Sequence, residues 1–172
     1  MKKMNRRNFI AKGSMGLGAA AVLSGLSSSI FAETNRRWMN QPIGFQTYPI
    51  REMVVKDFPG TLKLMAGQGY QLVEMCSPQG YVTSGFGPLV NIKPAEMRHI
   101  IEDAGLHCPS CHFTFPELTD NLDERIEFAN QLGLTQMICS TFWLPKTATL
   151  NDYLDSADKL NKSAEKIKKA GM

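Results

Sequence analysis

The chain has 172 residues, of which 43% are hydrophobic and 20% charged, and its formal net charge is +3. This length allows one domain with a short extension, and the apolar content excludes a disordered chain. Positions 1–32 hold five of the 19 basic residues and no acidic residue, which leaves 14 basic against 16 acidic residues in the body. That balance excludes a basic nucleic-acid-binding surface, so we expect no nucleic-acid partner.

The first 32 residues have the pattern of a cleavable export signal. Arg6 and Arg7 are adjacent, Phe9 and Ile10 follow, and a weakly apolar Gly/Ala/Leu stretch leads to Ala32. This pattern resembles the twin-arginine motif. The alternative is a membrane anchor, but Gly and Ser residues interrupt the stretch, whereas a span needs about 20 apolar residues. We expect export to the periplasm and no stable membrane anchor after cleavage.

A polar linker over residues 33–42 precedes a body, 43–172, in which one pattern repeats. Apolar runs of strand length alternate with helical patterns, which predicts parallel strands joined by right-handed crossovers. The predicted strands are Ile43–Tyr48, Leu72–Cys76, Cys108–Phe115 and Met137–Trp143. Two architectures have this pattern, an open doubly wound sheet and a closed eight-stranded barrel. No glycine-rich phosphate loop follows the first strand, which counts against a nucleotide-binding sheet.

Each predicted helix has a recognisable beginning. Asp57 precedes the first helix, Pro94 opens the second, and an apolar stripe from Leu122 marks the third. Thr149 and Asp152 form a capping box for the fourth helix. The predicted buried face of that fourth helix contains Leu150, Leu154, Ala157, Ala164 and Ile167.

The four helices share one type of ending, a glycine followed by an apolar residue. These glycines are Gly69, Gly105, Gly133 and Gly171. Glycine adopts the left-handed conformation that closes a helix, and the chain then enters the next strand. The last such signal has no strand after it, so we expect the chain to be truncated relative to its fold.

Short motifs stand in a characteristic order along the body. Residues 43–51 are IGFQTYPIR, residues 69–74 are GYQLVE, residues 110–112 are SCH and residues 121–129 are NLDERIEFA. Together they resemble the xylose isomerase-like TIM-barrel family of sugar phosphate isomerases and epimerases. The resemblance spans residues 43–172 and implies an α/β fold made of the first four βα units of a (β/α)8 barrel.

The same resemblance implies an activity and a cofactor. Members interconvert or epimerise sugars, so the implied partner is a small-molecule carbohydrate. The implied cofactor is a divalent metal (Mn, Mg, Zn or Co) bound by Glu, Asp, His and Glu from the second half of the barrel. That half would begin where this chain ends, so no metal ligand is assigned here.

Two residues on the predicted strands are candidate catalytic groups. Glu74 lies in an otherwise apolar strand, where a carboxylate needs partners or a raised pKa. The alternative for Glu74 is a structural pair with an arginine such as Arg51. His112 shares a strand face with Ser110 and matches a histidine that the family has near the substrate. The alternative for His112 is a hydrogen-bonded core residue.

Four further residues are candidate substrate contacts. Gln46, Tyr48 and Arg51 follow or end the first strand, and Trp143 ends the fourth. Sugars are often held by aromatic faces and planar polar groups in pockets of this kind. We therefore predict that these four side chains contact the carbohydrate.

Two other functions remain open from the sequence. Cys108 and Cys111 have CxxC spacing, which is found in thiol–disulfide oxidoreductases of oxidising compartments. A half-barrel would also leave two unpaired strand edges, which favours a non-catalytic carbohydrate-binding dimer or assembly with another chain.

Overall fold

The computed structural model describes residues 41–142 and 144–172. The predicted export signal, residues 33–40 of the predicted linker, and Trp143 lie outside the described residues, so the predictions for them stay predictions. None of the described helices combines the length and the apolar character that crossing a membrane requires.

Four parallel strands form the sheet in this part of the chain. They are β1 (Gly44–Gln46), β2 (Leu72–Cys76), β3 (His107–Phe113) and β4 (Gln136–Cys139). Their order in space is β1-β2-β3-β4, the same as their order in sequence. A doubly wound sheet reverses its strand order at a switch point, whereas consecutive strands of a barrel wall follow one another. The order therefore fits the expected partial barrel.

The helices in the described residues lie between and after these strands. They are α1 (Arg51–Lys56), α2 (Phe58–Gly67), α3 (Pro94–Asp103), α4 (Phe115–Thr119), α5 (Leu122–Leu132) and α6 (Leu150–Lys169). Short 3₁₀ turns occupy Tyr48–Ile50, Val82–Ser84 and Gly87–Leu89. Asp57 caps α2 by accepting the Gly60 N–H at 2.9 Å, and the Thr149–Asp152 capping box opens α6, as predicted.

The two faces of the sheet differ in character. Val73, Met75, Cys111 and Phe113 are fully buried in the hydrophobic core. Alternate residues point to the opposite face, and the register pairs Gln46 with Glu74 and Glu74 with Ser110. The polar residues of three neighbouring strands are therefore brought together on one face.

Three strands end earlier than the sequence predicted, and their first residues each differ from the prediction by one position. Strand β1 ends at Gln46 because Tyr48–Ile50, with Pro49 inside it, forms a 3₁₀ turn. Strand β3 ends at Phe113 because Thr114 and Glu117 form a capping box that opens the unpredicted helix α4. Strand β4 ends at Cys139. The helix-ending glycines were predicted correctly, since all four have φ between 80° and 95°.

The predicted buried face of α6 was wrong at three positions. Leu150 is 73% exposed, Leu154 is 54% exposed, and Ala164 is exposed as well. The buried positions of α6 are instead Ser156 and Ser163. The Ser163 hydroxyl donates to the Leu118 carbonyl oxygen at 2.7 Å, so a small polar side chain lets α6 approach α4 closely. Apolar periodicity alone does not reveal a contact of this type.

A buried polar cluster joins the segment after β2 to α4 and α5. The Ser77 hydroxyl donates to Glu117 Oε1 at 2.5 Å, and the Thr114 N–H donates to Glu117 Oε2 at 2.8 Å. Arg125 Nη1 lies 3.6 Å from Glu117 Oε1 and donates to Gln79 Oε1 at 2.7 Å. Because Glu117 and Arg125 are both buried, this cluster fixes where the chain leaves β2.

Candidate active site

A carboxylate on the polar face of the sheet carries two hydrogen bonds from the neighbouring strand. His112 Nε2 lies 3.0 Å from Glu74 Oε1, and the Ser110 hydroxyl donates to Glu74 Oε2 at 2.6 Å. The side chains of Glu74 and His112 are 28% and 25% exposed, so the pair is enclosed on the sheet side and accessible from solvent. The two predicted catalytic residues are therefore in direct contact.

The alternative partner proposed for Glu74 is elsewhere. Arg51 Nη1 donates to the Tyr48 carbonyl oxygen at 3.0 Å, and the guanidinium carbon lies 4.8 Å from the centre of the Tyr48 ring. Tyr48 is 40% exposed. Arg51 and Tyr48 thus form an exposed cation–π pair at the rim, separate from the Glu74–His112 contact.

Gln46, the last residue of β1, contacts the other nitrogen of the imidazole. Gln46 Nε2 lies 3.5 Å from His112 Nδ1 and donates to Cys76 Sγ at 3.2 Å. Its Oε1 accepts the backbone N–H of Tyr48. The sequence predicted Gln46 as a substrate contact. In the structure, its side-chain amide also forms hydrogen bonds with other residues of the protein.

An open cleft of about 310 Å³ leads to His112. It is lined by Gln46, Tyr48, Pro49, Tyr81, His112 and Ser140. Aromatic rings and planar polar groups surround it, which is the composition that suits a small polar ligand such as a sugar.

Two residues of this cleft, Tyr81 and Ser140, were missed by sequence reasoning. The Tyr81 hydroxyl and Ser140 Oγ are 2.6 Å apart and join the segment after β2 to the end of β4. Burial raises the pKa of Tyr81, so its hydroxyl keeps its proton at neutral pH. Ser140 follows β4 on the same face as His112, which is a usable sequence signal. Tyr81 gives no such signal because it lies in an irregular segment.

The CxxC cysteines do not form a redox pair of the thioredoxin type. Cys108 and Cys111 lie within β3, not at the beginning of a helix, and both thiols are free and buried. Burial raises the pKa of Cys108 to about 12 and that of Cys111 well above its ordinary value. Since the thiolate is the reactive form, burial disfavours thiol chemistry here.

The polar face offers few donor atoms to a metal ion. Two candidate donors, Glu74 Oε1 and His112 Nε2, are hydrogen-bonded to each other. Within residues 41–142 and 144–172, no group of three or more His, Cys, Asp or Glu side chains is arranged to hold a metal. The described residues alone therefore do not fit the implied metal.

Comparison with solved structures identifies the fold as part of a TIM barrel. A crystal structure of a sugar phosphate isomerase/epimerase from Parabacteroides distasonis ATCC 8503 matches with a TM-score of 0.64 and 24% identity, over 77% of this chain and 49% of that chain. A second such structure, also from that organism, matches with a TM-score of 0.61 and 20% identity, over 77% of this chain and 52% of that chain.

This chain thus spans about half the length of those two structures. No family model matches the chain, and no curated protein does. At these low identities, the structural similarity establishes the fold alone, which is a mixed α/β partial barrel with a four-stranded parallel sheet.

Proposed function

We propose that the protein is part of a sugar or sugar phosphate isomerase or epimerase in which Glu74 and His112 are catalytic. Glu74 transfers the proton, and the His112 N–H holds the Glu74 carboxylate. The observation that carries this proposal is the Glu74 carboxylate, held by His112 and Ser110 on neighbouring strands beside a solvent-open cleft. Active sites of TIM barrels lie at the carboxyl ends of the strands. The fold of the two sugar phosphate isomerase/epimerase structures supports the same class.

In the proposed reaction, the Glu74 carboxylate removes a proton from the carbon next to a sugar carbonyl. The electron pair of the broken C–H bond moves into an enediolate. In an isomerisation, Glu74 returns the proton to the neighbouring carbon and the hydroxyl proton moves to the former carbonyl oxygen. In an epimerisation, a solvent proton adds to the opposite face of the same carbon and Glu74 releases its proton to solvent. The His112 N–H steadies the carboxylate while it is ionised.

The substrate contacts belong to the same proposal. Gln46 and Tyr48 line the cleft, and Arg51 lies at its rim against Tyr48. An arginine at the rim suits a phosphate group on the sugar. Trp143, which lies outside the described residues, is retained as a fourth predicted contact.

A complete barrel is also part of the proposal. Four further βα units from a second half of the barrel would carry the ligands of a divalent metal (Mn, Mg, Zn or Co). Such a metal would supply Lewis-acid chemistry when bound. Pairing with a second copy of this chain would instead give the non-catalytic carbohydrate-binding dimer. Titrating each metal while recording activity, and measuring molecular mass in solution, tests these two points.

Export to the periplasm by the twin-arginine route completes the proposal. Replacing Arg6 and Arg7 together by lysine removes the pair that the export receptor recognises while keeping the charge. We expect the protein to stay in the cytoplasmic fraction. Replacement of Lys2 and Lys3 by arginine is the matched control, and unchanged export of the Arg6/Arg7 variant would refute the route.

Proton exchange in D₂O tests the catalytic proposal. A panel of aldoses, ketoses and their phosphates is incubated with the full chain, and deuterium incorporation next to the carbonyl is followed by NMR. We expect incorporation that disappears in Glu74→Gln and persists in Glu102→Gln, which changes an exposed carboxylate of α3 paired with Arg98. Incorporation that survives in Glu74→Gln would refute the role of Glu74.

A further inference from the structure

The imidazole of His112 has one hydrogen-bonding group facing each of its nitrogens. Glu74 Oε1 lies 3.0 Å from Nε2, and Gln46 Nε2 lies 3.5 Å from Nδ1. A carboxylate facing an imidazole nitrogen favours a proton on that nitrogen. An amide NH₂ can only donate, so it favours a nitrogen without a proton.

The orientation of the Gln46 amide is fixed by the backbone. The N–H of Tyr48 can only donate, and it points at Gln46 Oε1, so that atom is the carbonyl oxygen. The two N–H groups of Gln46 then point at Cys76 Sγ and at His112 Nδ1. Turning the amide over would set its NH₂ group against the Tyr48 N–H.

The Cys76 thiol supports the same orientation of the Gln46 amide. Burial raises the pKa of the Cys76 thiol to about 11, although the hydrogen bond from Gln46 lowers it. At neutral pH the sulfur is therefore a neutral thiol that accepts from Gln46. Every polar atom of the Gln46 amide thus has a protein partner.

From this geometry we propose that Gln46 is a positioning residue that keeps Nδ1 of His112 unprotonated. The neutral imidazole then carries its proton on Nε2, directed at Glu74. A proton on Nδ1 would face the Gln46 amide N–H, and two N–H groups cannot bond to each other.

The consequence concerns the direction of the His112 N–H, and this step depends on the proposed function. With the proton on Nε2, that N–H donates to Glu74 Oε1 and holds the carboxylate that the proposed reaction uses as its base.

The test is the tautomer of His112, measured by ¹⁵N NMR on the full, substrate-free chain at a pH where the imidazole is neutral. We expect Nε2 to give the signal of a protonated nitrogen and Nδ1 that of an unprotonated one. This measurement needs no variant, so a folding defect cannot obscure it. A protonated Nδ1 in the unmodified protein would overturn the proposal.

Gln46→Glu then tests the cause. It replaces the N–H donors with a second carboxylate, so we expect Nδ1 to become protonated and kcat for proton exchange to fall, within the about 10²–10⁴-fold that a general base supplies. The control is Gln68→Glu, an identical substitution at the exposed end of α2. An unprotonated Nδ1 in folded Gln46→Glu would refute the role of Gln46.

The two proposals fail separately. If the tautomer is as expected but no sugar exchanges its proton, the assignment of Gln46 stands and the isomerase proposal fails. If Nδ1 is protonated while a sugar exchanges its proton, the isomerase proposal stands and the assignment of Gln46 fails.

Discussion

The centre of the sheet and its β4–α6 flank differ in the side chains they hold and in how neighbouring strands support them. At the centre, β2 pairs with a strand on each side, and the Glu74–His112 contact is supported by Ser110 and Gln46. At the flank, β4 pairs within the described residues with β3 alone, and α6 exposes Leu150 and Leu154.

The flank also has a cavity of about 390 Å³, larger than the cleft at His112. It is lined by Cys139, Ser140, Thr141, Phe142, Leu144, Tyr153 and Leu160. Apolar side chains dominate there, with no charged group in the lining. Size alone therefore does not identify the site, because of these two the smaller cleft is the one that contains a histidine in contact with a carboxylate.

The largest expected effect is the loss of activity when the Glu74–His112 pair is broken. Glu74→Gln and His112→Asn should each lower kcat by about 10²–10⁴-fold, because the two side chains act on one proton. The double variant should have a kcat only slightly below that of the less active single variant, because the effects of residues that act as a unit are not additive. Additive losses in deuterium exchange would show that the two residues act independently.

Stability of the central region should depend on the buried Glu117–Arg125 contact. Arg125→Met keeps most of the side-chain volume but leaves the Glu117 carboxylate buried without its cation, a change that costs about 3–5 kcal/mol in such pairs. Urea unfolding measures this loss, and adding Glu117→Gln should restore part of it. The matched control, Arg98→Met in the exposed pair with Glu102, should change little.

Leucine substitutions compare the core with the flank directly. Leu62→Ala in α2 removes a fully buried side chain and should cost about 2–5 kcal/mol in unfolding free energy. Leu154→Ala in α6 should stay within about 0.5 kcal/mol, because that side chain is mostly in solvent. A large loss for Leu154→Ala would mean that another segment or copy covers the flank in solution.

The smallest expected effect is an acid-dependent contribution at the start of α6. Hydrogen bonds from the Thr149 backbone N–H and hydroxyl lower the pKa of Asp152 in the folded state. The stabilisation is therefore present above the unfolded-state pKa and is lost as pH falls through the lower folded-state pKa. In Asp152→Asn, the free energy of unfolding should therefore fall less steeply as the pH is lowered. The control is Asp155→Asn, which changes an exposed residue of α6 and should leave that pH dependence as it is.

The sequence predicted the features that local chemistry determines. Helix ends follow from Gly69, Gly105, Gly133 and Gly171, and the α6 start follows from a capping box, because each needs only neighbouring residues. The helix ends and the capping box required no knowledge of distant packing. Glu74 and His112 were predicted as separate candidates, but their contact was not predicted, because it depends on the pairing of β2 with β3.

Two features were missed for different reasons. Phe115, the first residue of α4, was taken as the end of a strand because Phe113 and Phe115 alternate with polar residues, whereas the local Thr114–Glu117 capping box starts a helix there. Tyr81 enters the cleft through its contact with Ser140, 59 residues away. Such pairings arise from the tertiary fold and leave no periodicity to detect.

NMR titration of the ¹⁵N-labelled full chain with sugar phosphates tests the central claim most directly, because it asks which of the two regions binds. The account predicts chemical-shift changes concentrated at Gln46, Tyr48 and His112, with Tyr153 and Leu160 of the flank unaffected. Shift changes centred on Tyr153 and Leu160, or no change at the His112 cleft with any sugar phosphate, would contradict it.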